Sequence, residues 1–166
     1  MQLGGEGNGT KVLMSGLDYE RAVLTGGPLG IMQAVMDNVI PYIHERKQFG
    51  QAIGDFQNTR FRLARMATEI EASRQLMYFV CDEIDQKRRC DKEAAMVKFF
   101  ASEMAERVTS EALQVFGGAG YTTLHAVERY WRDARLTKIF EGTSEIQQRI
   151  ISDLLLGNPL DRRGAA

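Results

Sequence analysis

Apolar side chains recur at three- and four-residue steps through most of this chain, which is the spacing of one face of an α-helix. The pattern is clearest over residues 56–85 and 92–116, where polar residues fill the other positions. The first segment carries Leu63, Met66, Ala67, Ile70, Met77, Val80 and Ile84, and the second carries Val97, Ala101, Met104, Val108, Ala112 and Val115. No segment shows a convincing strand alternation of apolar and polar residues. The pattern predicts an all-α protein.

The N-terminal half predicts another long helix, over residues 18–47. Asp18 suits its N-cap or first turn, where a carboxylate meets unpaired backbone N–H groups and the positive end of the helix dipole. Pro28 and Pro41 lie inside this segment. Because proline removes one helical hydrogen bond, we expect a bend near each proline rather than two separate helices.

Two shorter helices are predicted near the C-terminus, over residues 126–135 and 144–155, with a break between them at 141–143. The Gly-Gly-Ala-Gly run at 117–120 is expected to end the long helix before it, as glycine commonly does. Long helices with short connections must pack side by side to bury their apolar faces. The predicted fold is an up-down four-helix bundle with additional short C-terminal helices.

The chain length suits one domain with its own core. Residues 1–10 are rich in glycine and predict a linker, in a chain that begins within a longer protein. The bundle is expected over residues 11–157, followed by a flexible tail over 158–166.

Composition narrows the class of function. The 21 basic and 22 acidic residues are mixed along the chain and give a net charge of −1, so no basic stripe is available for nucleic acid. No apolar run approaches the roughly 20 residues of a membrane span, and no secretion signal opens the chain. Cys81, Cys90, His44 and His125 lack the spacing of a disulfide scaffold or a zinc site. We therefore expect reduced thiols, no metal, and a bacterial cytoplasm or mitochondrial matrix as the location.

Four segments carry a more specific signal. They are residues 45–50 with 56–57 (Glu-Arg-Lys-Gln-Phe-Gly, then Phe-Gln), 114–121 (Gln-Val-Phe-Gly-Gly-Ala-Gly-Tyr), 132–135 (Arg-Asp-Ala-Arg) and 141–146 (Glu-Gly-Thr-Ser-Glu-Ile). In this order and at these separations they resemble the C-terminal helical domain of the acyl-CoA dehydrogenases, over roughly residues 10–157. Residues 14–21 and 26–30 most resemble the isovaleryl-CoA dehydrogenase branch. Enzymes of this family also have an N-terminal helical domain and a middle β-domain.

The resemblance implies an oxidoreductase that acts on CH–CH groups. A glutamate removes the proton α to an acyl-CoA thioester, and N5 of FAD accepts the hydride from the β-carbon. Glu141 matches the family's usual base, and burial beside the substrate makes a carboxylate a stronger base. In the isovaleryl branch the base matches Glu20, so Glu20 is the alternative. Without the resemblance, Glu141 is a first-turn charge of the last helix and Glu20 a surface charge.

Two residues match positions that contact the acyl-CoA in the family. They are Asp18 and Arg21, although their spacing also suits a local ion pair on one helix face. Gly142 is a further candidate for substrate binding, because a residue without a side chain lets the substrate pass close to the backbone.

A larger set matches the family's FAD-binding positions. Its members are Arg46, Gln48, Phe49, Phe56, Gln57, Gln114, Gly117, Gly118, Thr143, Ser144 and Glu145. Arg46 suits the pyrophosphate, because guanidinium and phosphate form paired hydrogen bonds. Gln114 and the glycine pair match a turn that meets the adenosine half of FAD, often from a neighbouring subunit. The simpler interpretations are a solvated cation for Arg46 and a helix C-cap for the glycines.

The resemblance also implies partners. These are an acyl-CoA with a short or branched chain, electron-transfer flavoprotein as electron acceptor, and further copies in a homodimer or homotetramer. The expected setting is fatty acid or branched-chain amino acid catabolism, and the domain alone is expected to be inactive. The alternative is a non-catalytic oligomerisation module derived from the same domain.

Overall fold

The computed structural model describes residues 4–158, apart from the side chain of residue 18. The helices are α1 Gly9–Met14, α2 Leu17–Leu24, α3 Gly26–Glu45, α4 Gln57–Asp85, α5 Asp91–Phe116, α6 Val127–Leu136 and α7 Ser144–Leu156. Two short strands, β1 Lys47–Gln48 and β2 Gln51–Ala52, and 3-10 turns at Ile53–Asp55 and Gly117–Tyr121 complete the described elements. None of these helices combines the length and hydrophobicity of a membrane span.

The all-α prediction is confirmed, and four helices begin and end within two residues of their predicted limits. These are α4, α5, α6 and α7, the helices with the clearest apolar periodicity or the sharpest glycine boundaries. The glycine run after α5 forms a 3-10 turn, in which Gly117 has a φ of 60°.

The prediction of one bent helix over residues 18–47 is wrong near Pro28. The segment forms α2 and α3, which are separated by Thr25. Pro28 has no N–H to donate to the Leu24 carbonyl, so the ladder stops and restarts with proline in the first turn of α3. The Thr25 hydroxyl donates to the Arg21 carbonyl at 2.9 Å and partly replaces the lost bonding. Pro41 lies inside α3 without ending it.

The expectation of no strands is corrected by a small hairpin after α3. β1 and β2 pair antiparallel, with Gln48 opposite Gln51 and two residues between them. Those residues, Phe49 and Gly50, have φ values of 52° and 83°. Positive φ at both loop positions matches the twist of a tight hairpin. Strands of two residues are too short to produce an alternating sequence pattern, which is why the hairpin was not predicted.

Helix α5 lies at the centre of the fold and packs against α2, α3, α4, α6 and α7. Small side chains make this possible, because they let neighbouring backbones approach closely. The alanines of α5 that are completely buried are Ala94, Ala95, Ala101, Ala105 and Ala112. Larger apolar side chains from α3 and α4, such as Met32, Val39 and Met66, fill the space around them.

The predicted domain limits can be compared with the chain ends that the structure describes. Helix α1 begins at Gly9, two residues before the predicted start of the bundle. The proposed linker over 1–10 is described only from residue 4, and in the proposed tail over 158–166 only residue 158 is described.

The packing of α5 predicts a strong size limit at Ala105. Ala105→Leu should destabilise the fold by about 1–3 kcal/mol, because the added methylenes have no space in a packed core. Urea unfolding followed by circular dichroism measures the change. The matched control is Ala64→Leu at an exposed position of α4, which should stay within about 0.5 kcal/mol of the parent. Equal effects of the two substitutions would contradict the central placement of α5.

Candidate functional site

The connection between α6 and α7 contains two consecutive residues in the left-handed region of backbone conformation. Glu141 has a φ of 54° and Gly142 a φ of 88°. Such a value suits glycine but costs a glutamate about 1–3 kcal/mol, and strain of this kind is often found at functional sites. The loop closes through a backbone hydrogen bond of 3.0 Å from Ser144 N to the Lys138 carbonyl. The Glu141 side chain is thereby presented from a defined turn rather than from a regular helix.

Two buried side chains bind the backbone of this turn. Lys98 of α5 donates from Nζ to the Gly142 carbonyl at 2.6 Å. Gln147 of α7 donates from Nε2 to the same carbonyl at 2.9 Å and to the Glu141 carbonyl at 3.2 Å. Lys98 is 2% exposed and Gln147 is fully buried. The turn is therefore held from two helices at once.

Lys98 is the centre of the electrostatics of the site. Burial lowers the pKa of its ammonium group, and the positive charge of Arg21 lowers it further. The carboxylates of Glu141, Glu103 and Glu145 act in the opposite direction and raise it. Arg21 of α2 and Glu141 of the turn are therefore both close enough to act on one buried cation.

The two candidate bases occupy different environments. Glu141 is half-buried, whereas Glu20 is exposed on α2. Arg21, a predicted substrate contact, is 5% exposed and points into the protein rather than onto an open surface. The side chain of Asp18 lies outside the described residues. Among the described candidates, Glu141, Gly142 and Arg21 are thus gathered around Lys98, and Glu20 is not among the charges that act on Lys98.

The next three predicted cofactor residues form the start of α7. Thr143 is the N-cap, and its hydroxyl accepts from Ile146 N at 3.4 Å. Ser144 is buried and donates to Glu103 Oε1 at 2.8 Å. Hydrogen bonds from its own backbone N–H and from the Thr143 side chain lower the pKa of Glu145. In the chain alone, all three side chains are occupied by capping and packing.

All but one of the remaining predicted cofactor residues gather at the other end of α5, around two neighbouring clefts. One cleft, of about 450 Å³, is lined partly by Gln48, Phe49, Phe56 and Gln114. The other, of about 440 Å³, is lined partly by Arg46, Gln48, Gly117 and Gly118. Gln57, the first residue of α4, is exposed and lines neither cleft.

The surfaces of these clefts suit a ligand with aromatic and anionic parts. Phe49 is 95% exposed, and its ring stands edge-on to Phe56 with centroids 6.3 Å apart. The guanidinium of Arg46 is on an exposed residue beside the glycine pair. A Cβ placed on Gly117 or Gly118 would meet nothing within 4 Å, so the backbone there faces open space. These features fit a dinucleotide, with rings to stack and phosphates to neutralise.

The two regions are far apart. Lys98 touches the turn, whereas Gly117 follows the last residue of α5, so they are about 28 Å apart along the helix. One copy of the chain therefore does not bring the clefts next to Glu141.

Sequence reasoning missed Lys98, Gln147 and Tyr42. Tyr42 lines the second cleft, and its ring stacks on Phe116 with centroids 4.0 Å apart. Lys98 gave a usable signal, because it is a charged residue next to Val97 on the otherwise apolar face of a helix. Gln147 gave none, since glutamine is common at exposed helix positions.

Comparison with known proteins adds independent findings. The family model described as acyl-CoA dehydrogenase, C-terminal domain, matches residues 7–156. Mitochondrial isovaleryl-CoA dehydrogenase of Arabidopsis thaliana is 47% identical over 146 residues, which are 88% of this chain and 36% of the relative. Caffeyl-CoA reductase-Etf complex subunit CarC of Acetobacterium woodii is 42% identical over 155 residues, 93% of this chain and 41% of that protein.

A solved structure shares the fold as well. The FAD complex of PigA superposes with a TM-score of 0.87 at 30% identity, covering 93% of this chain and 40% of that one. The chain thus spans about two fifths of the length of the curated relatives quoted above.

The charges around Lys98 predict that a substitution at Glu141 changes the pKa of Lys98. In Glu141→Gln the pKa of Lys98 should fall further, because a carboxylate that raises it is lost. NMR titration of the Lys98 side-chain ¹³Cε resonance through the alkaline range reports this pKa directly. The matched control is Glu20→Gln, which should leave the titration unchanged. An unchanged Lys98 titration in Glu141→Gln would contradict the placement of Glu141 beside this amine.

Proposed function

This chain belongs to the acyl-CoA dehydrogenase family through its C-terminal domain, and on that basis we propose that it takes part in α,β-dehydrogenation of an acyl-CoA thioester. The proposed base is Glu141. The observation that carries this choice is its position: a half-buried carboxylate on a left-handed turn between two helices, held by buried side chains. A base in such a position keeps one orientation, which proton transfer from a carbon requires.

The proposed reaction takes one proton and one hydride from the substrate. The Glu141 carboxylate accepts the α-proton and becomes a carboxylic acid, and the β-carbon loses the hydride, so a double bond forms between the two carbons. FAD, when bound, supplies the acceptor for that hydride. Gly142 would meet the substrate through its backbone, because the space that a side chain would fill is taken by Gln147 and Ile146. Asp18 and Arg21 are retained as candidates for substrate contacts, although a contact to Arg21 requires the substrate to reach a buried guanidinium.

Glu20 is the second candidate for the base. Its position matches that of the base in the isovaleryl branch, and it lies one residue before the buried Arg21. Its exposure on α2 weighs against it. We therefore rank Glu141 first.

The clefts at the C-terminal end of α5 are the proposed binding region for FAD. Arg46 would neutralise the pyrophosphate, Phe49 and Phe56 would offer ring faces, and Gly117 and Gly118 would let the ligand approach the backbone. Gln48 and Gln114, which line the clefts, would contribute amide hydrogen bonds. Support comes from the open space at the glycine pair and from the FAD complex of PigA, a structural relative.

Thr143, Ser144, Glu145 and Gln57 remain weaker candidates for cofactor contacts. The first three already cap and pack α7, so a flavin would meet mainly the backbone at this helix end. Gln57 would be reached only by a ligand that extends beyond the clefts.

Lys98, which binds the turn, and Gly117, which lines a cleft, are about 28 Å apart along α5, and this separation leads to a proposal about assembly. We infer that a complete site combines the turn of one copy with the clefts of another, in a homodimer or homotetramer. Exposed apolar residues on α4 and α7, among them Phe61, Phe79 and Leu155, offer surface for such contacts.

Substrate, acceptor and location are proposed from the relatives. Similarity to isovaleryl-CoA dehydrogenase favours a short or branched acyl chain, and similarity to a subunit of an Etf complex favours electron-transfer flavoprotein as the acceptor. These relatives are mitochondrial and bacterial, which favours the mitochondrial matrix or the bacterial cytoplasm.

Substitution of the proposed base tests the reaction. In the natural full-length protein, Glu141→Gln should lower kcat by at least about a hundredfold, because an amide cannot accept the α-proton. Bound flavin should remain, and reduction of flavin by isovaleryl-CoA in stopped-flow absorbance measures the step. Glu71→Gln, at an exposed position of α4, is the control for loss of a glutamate. Full activity of Glu141→Gln combined with loss in Glu20→Gln would reverse the assignment.

Substitution of the cleft arginine tests the cofactor site. Arg46→Met should weaken FAD binding about tenfold to hundredfold, the loss expected for one charge-assisted hydrogen bond. Flavin fluorescence titration of the apoprotein gives the affinity. Arg65→Met, which removes an exposed arginine of α4, should bind FAD like the parent. A parent protein that binds no FAD would instead favour the non-catalytic oligomerisation module.

A further inference from the structure

The backbone of the turn that carries Glu141 has an unusual set of partners. A carbonyl in an irregular loop normally bonds to water or to a neighbouring N–H. Here the Gly142 carbonyl accepts two side-chain donors, Lys98 Nζ at 2.6 Å and Gln147 Nε2 at 2.9 Å. The donors come from α5 and α7, so the turn is fixed relative to both helices.

Gln147 binds the two carbonyls at a cost in stability. Its Nε2 reaches the carbonyls of Glu141 and Gly142, while its Oε1 is buried without a hydrogen-bond partner among the described residues. An unsatisfied buried oxygen is destabilising, so the two carbonyls determine how this amide lies. A Cβ on Gly142 would come within 2.7 Å of Nε2, so the turn packs directly against it.

The hydrogen bond from Lys98 to the turn also carries a cost in stability. Its ammonium group is withdrawn from water, and Arg21 of α2 adds a second positive charge nearby. Three carboxylates offset this cost: Glu103 from α5 itself, Glu141 from the turn and Glu145 from α7. A methionine would fill the same space without burying a charge, so stability alone does not call for lysine here.

We propose that Lys98 and Gln147 are positioning residues for Glu141. By holding the carbonyls of Glu141 and Gly142, they keep two consecutive residues in the left-handed conformation and so fix the direction of the Glu141 carboxylate. Neither residue touches the reacting carbons. The proposal rests on Glu141 being the base, but the effect on the turn itself does not depend on any activity.

The first test measures the turn in this chain. The variants Lys98→Met and Gln147→Leu each remove donors while keeping similar volume, and the three-bond coupling between the amide and α protons of Glu141 reports its φ. The coupling should move towards the value of right-handed backbone in both variants. The matched controls are Lys92→Met on α5 and Gln148→Leu on α7, which should retain the parent coupling. If Lys98→Met does not fold, Lys98→Leu, which also has no donor, takes its place. An unchanged coupling in folded variants of both residues would overturn the proposal.

The second test measures the consequence for the base. In the natural full-length protein, Lys98→Met and Gln147→Leu should lower kcat by about a hundredfold, because a reacting group displaced by about 1 Å can slow a reaction by that factor. KM and bound flavin should change little, because substrate and cofactor contacts remain. A lower thermal stability with an unchanged kcat would mean a purely structural role and would overturn the proposal.

The two tests separate this proposal from the proposed function. If the parent enzyme shows no acyl-CoA dehydrogenation while the Glu141 coupling still changes in the variants, the proposed function fails and the control of the turn by Lys98 and Gln147 stands. If the parent is active and kcat is insensitive to both substitutions, the proposed function stands and the positioning role fails.

Discussion

The structure depends on the packing of one helix. Helix α5 contacts five other helices, so little of its surface reaches solvent. A helix in this position must be apolar and small on most of its faces, and its buried alanines meet that requirement. A buried polar residue on such a helix needs a hydrogen-bond partner: Ser102 and Thr109 donate to carbonyls of α5 itself, but a buried charge calls for a partner from a neighbouring element. Lys98 is the charged residue that α5 buries, and its partner is the turn that carries Glu141. Lys98 therefore links the packing of α5 to the geometry of the turn that carries Glu141.

The sequence predicted the elements that local physics controls. Helices α4 and α5 have long apolar stripes, and their limits followed from periodicity and from the glycines after Phe116. The break at Thr25 was not predicted, because a proline can bend a helix or divide it, and the choice depends on hydrogen bonds made by neighbours such as Thr25 itself. The hairpin around Phe49 depends on positive φ at a residue that rarely adopts it, which no periodic pattern indicates.

The residues of the candidate site likewise fall into those that the sequence indicated and those that only the packing reveals. Glu141, Arg46 and the glycine pair became candidates because they stand in short segments that resemble family motifs. Lys98 and Gln147 are separated from the turn by 44 and 5 residues, respectively, and only the packing of α5 and α7 brings them to it. The predicted role of Ser144 illustrates the opposite problem. Its hydroxyl belongs to a family motif, yet in this chain it is used by Glu103 of α5. A motif gives the residue type that a position needs, but the packing of other helices decides where the side chain points.

Different parts of α5 carry the two candidate regions. One end presents the clefts with Arg46 and Phe49, and the other part holds Lys98 and the turn. Because α5 is a continuous, buried helix, neither region can move towards the other without breaking the core. A helix that is rigid over this length fixes the distance between the regions, and this is why the proposed assembly combines the turn of one copy with the clefts of another. The same rigidity explains why a buried lysine is suited to holding the turn. Its long side chain is anchored on an element that does not move. It reaches the loop carbonyl that Gln147 also binds, in the loop closed by the backbone hydrogen bond from Ser144 to Lys138.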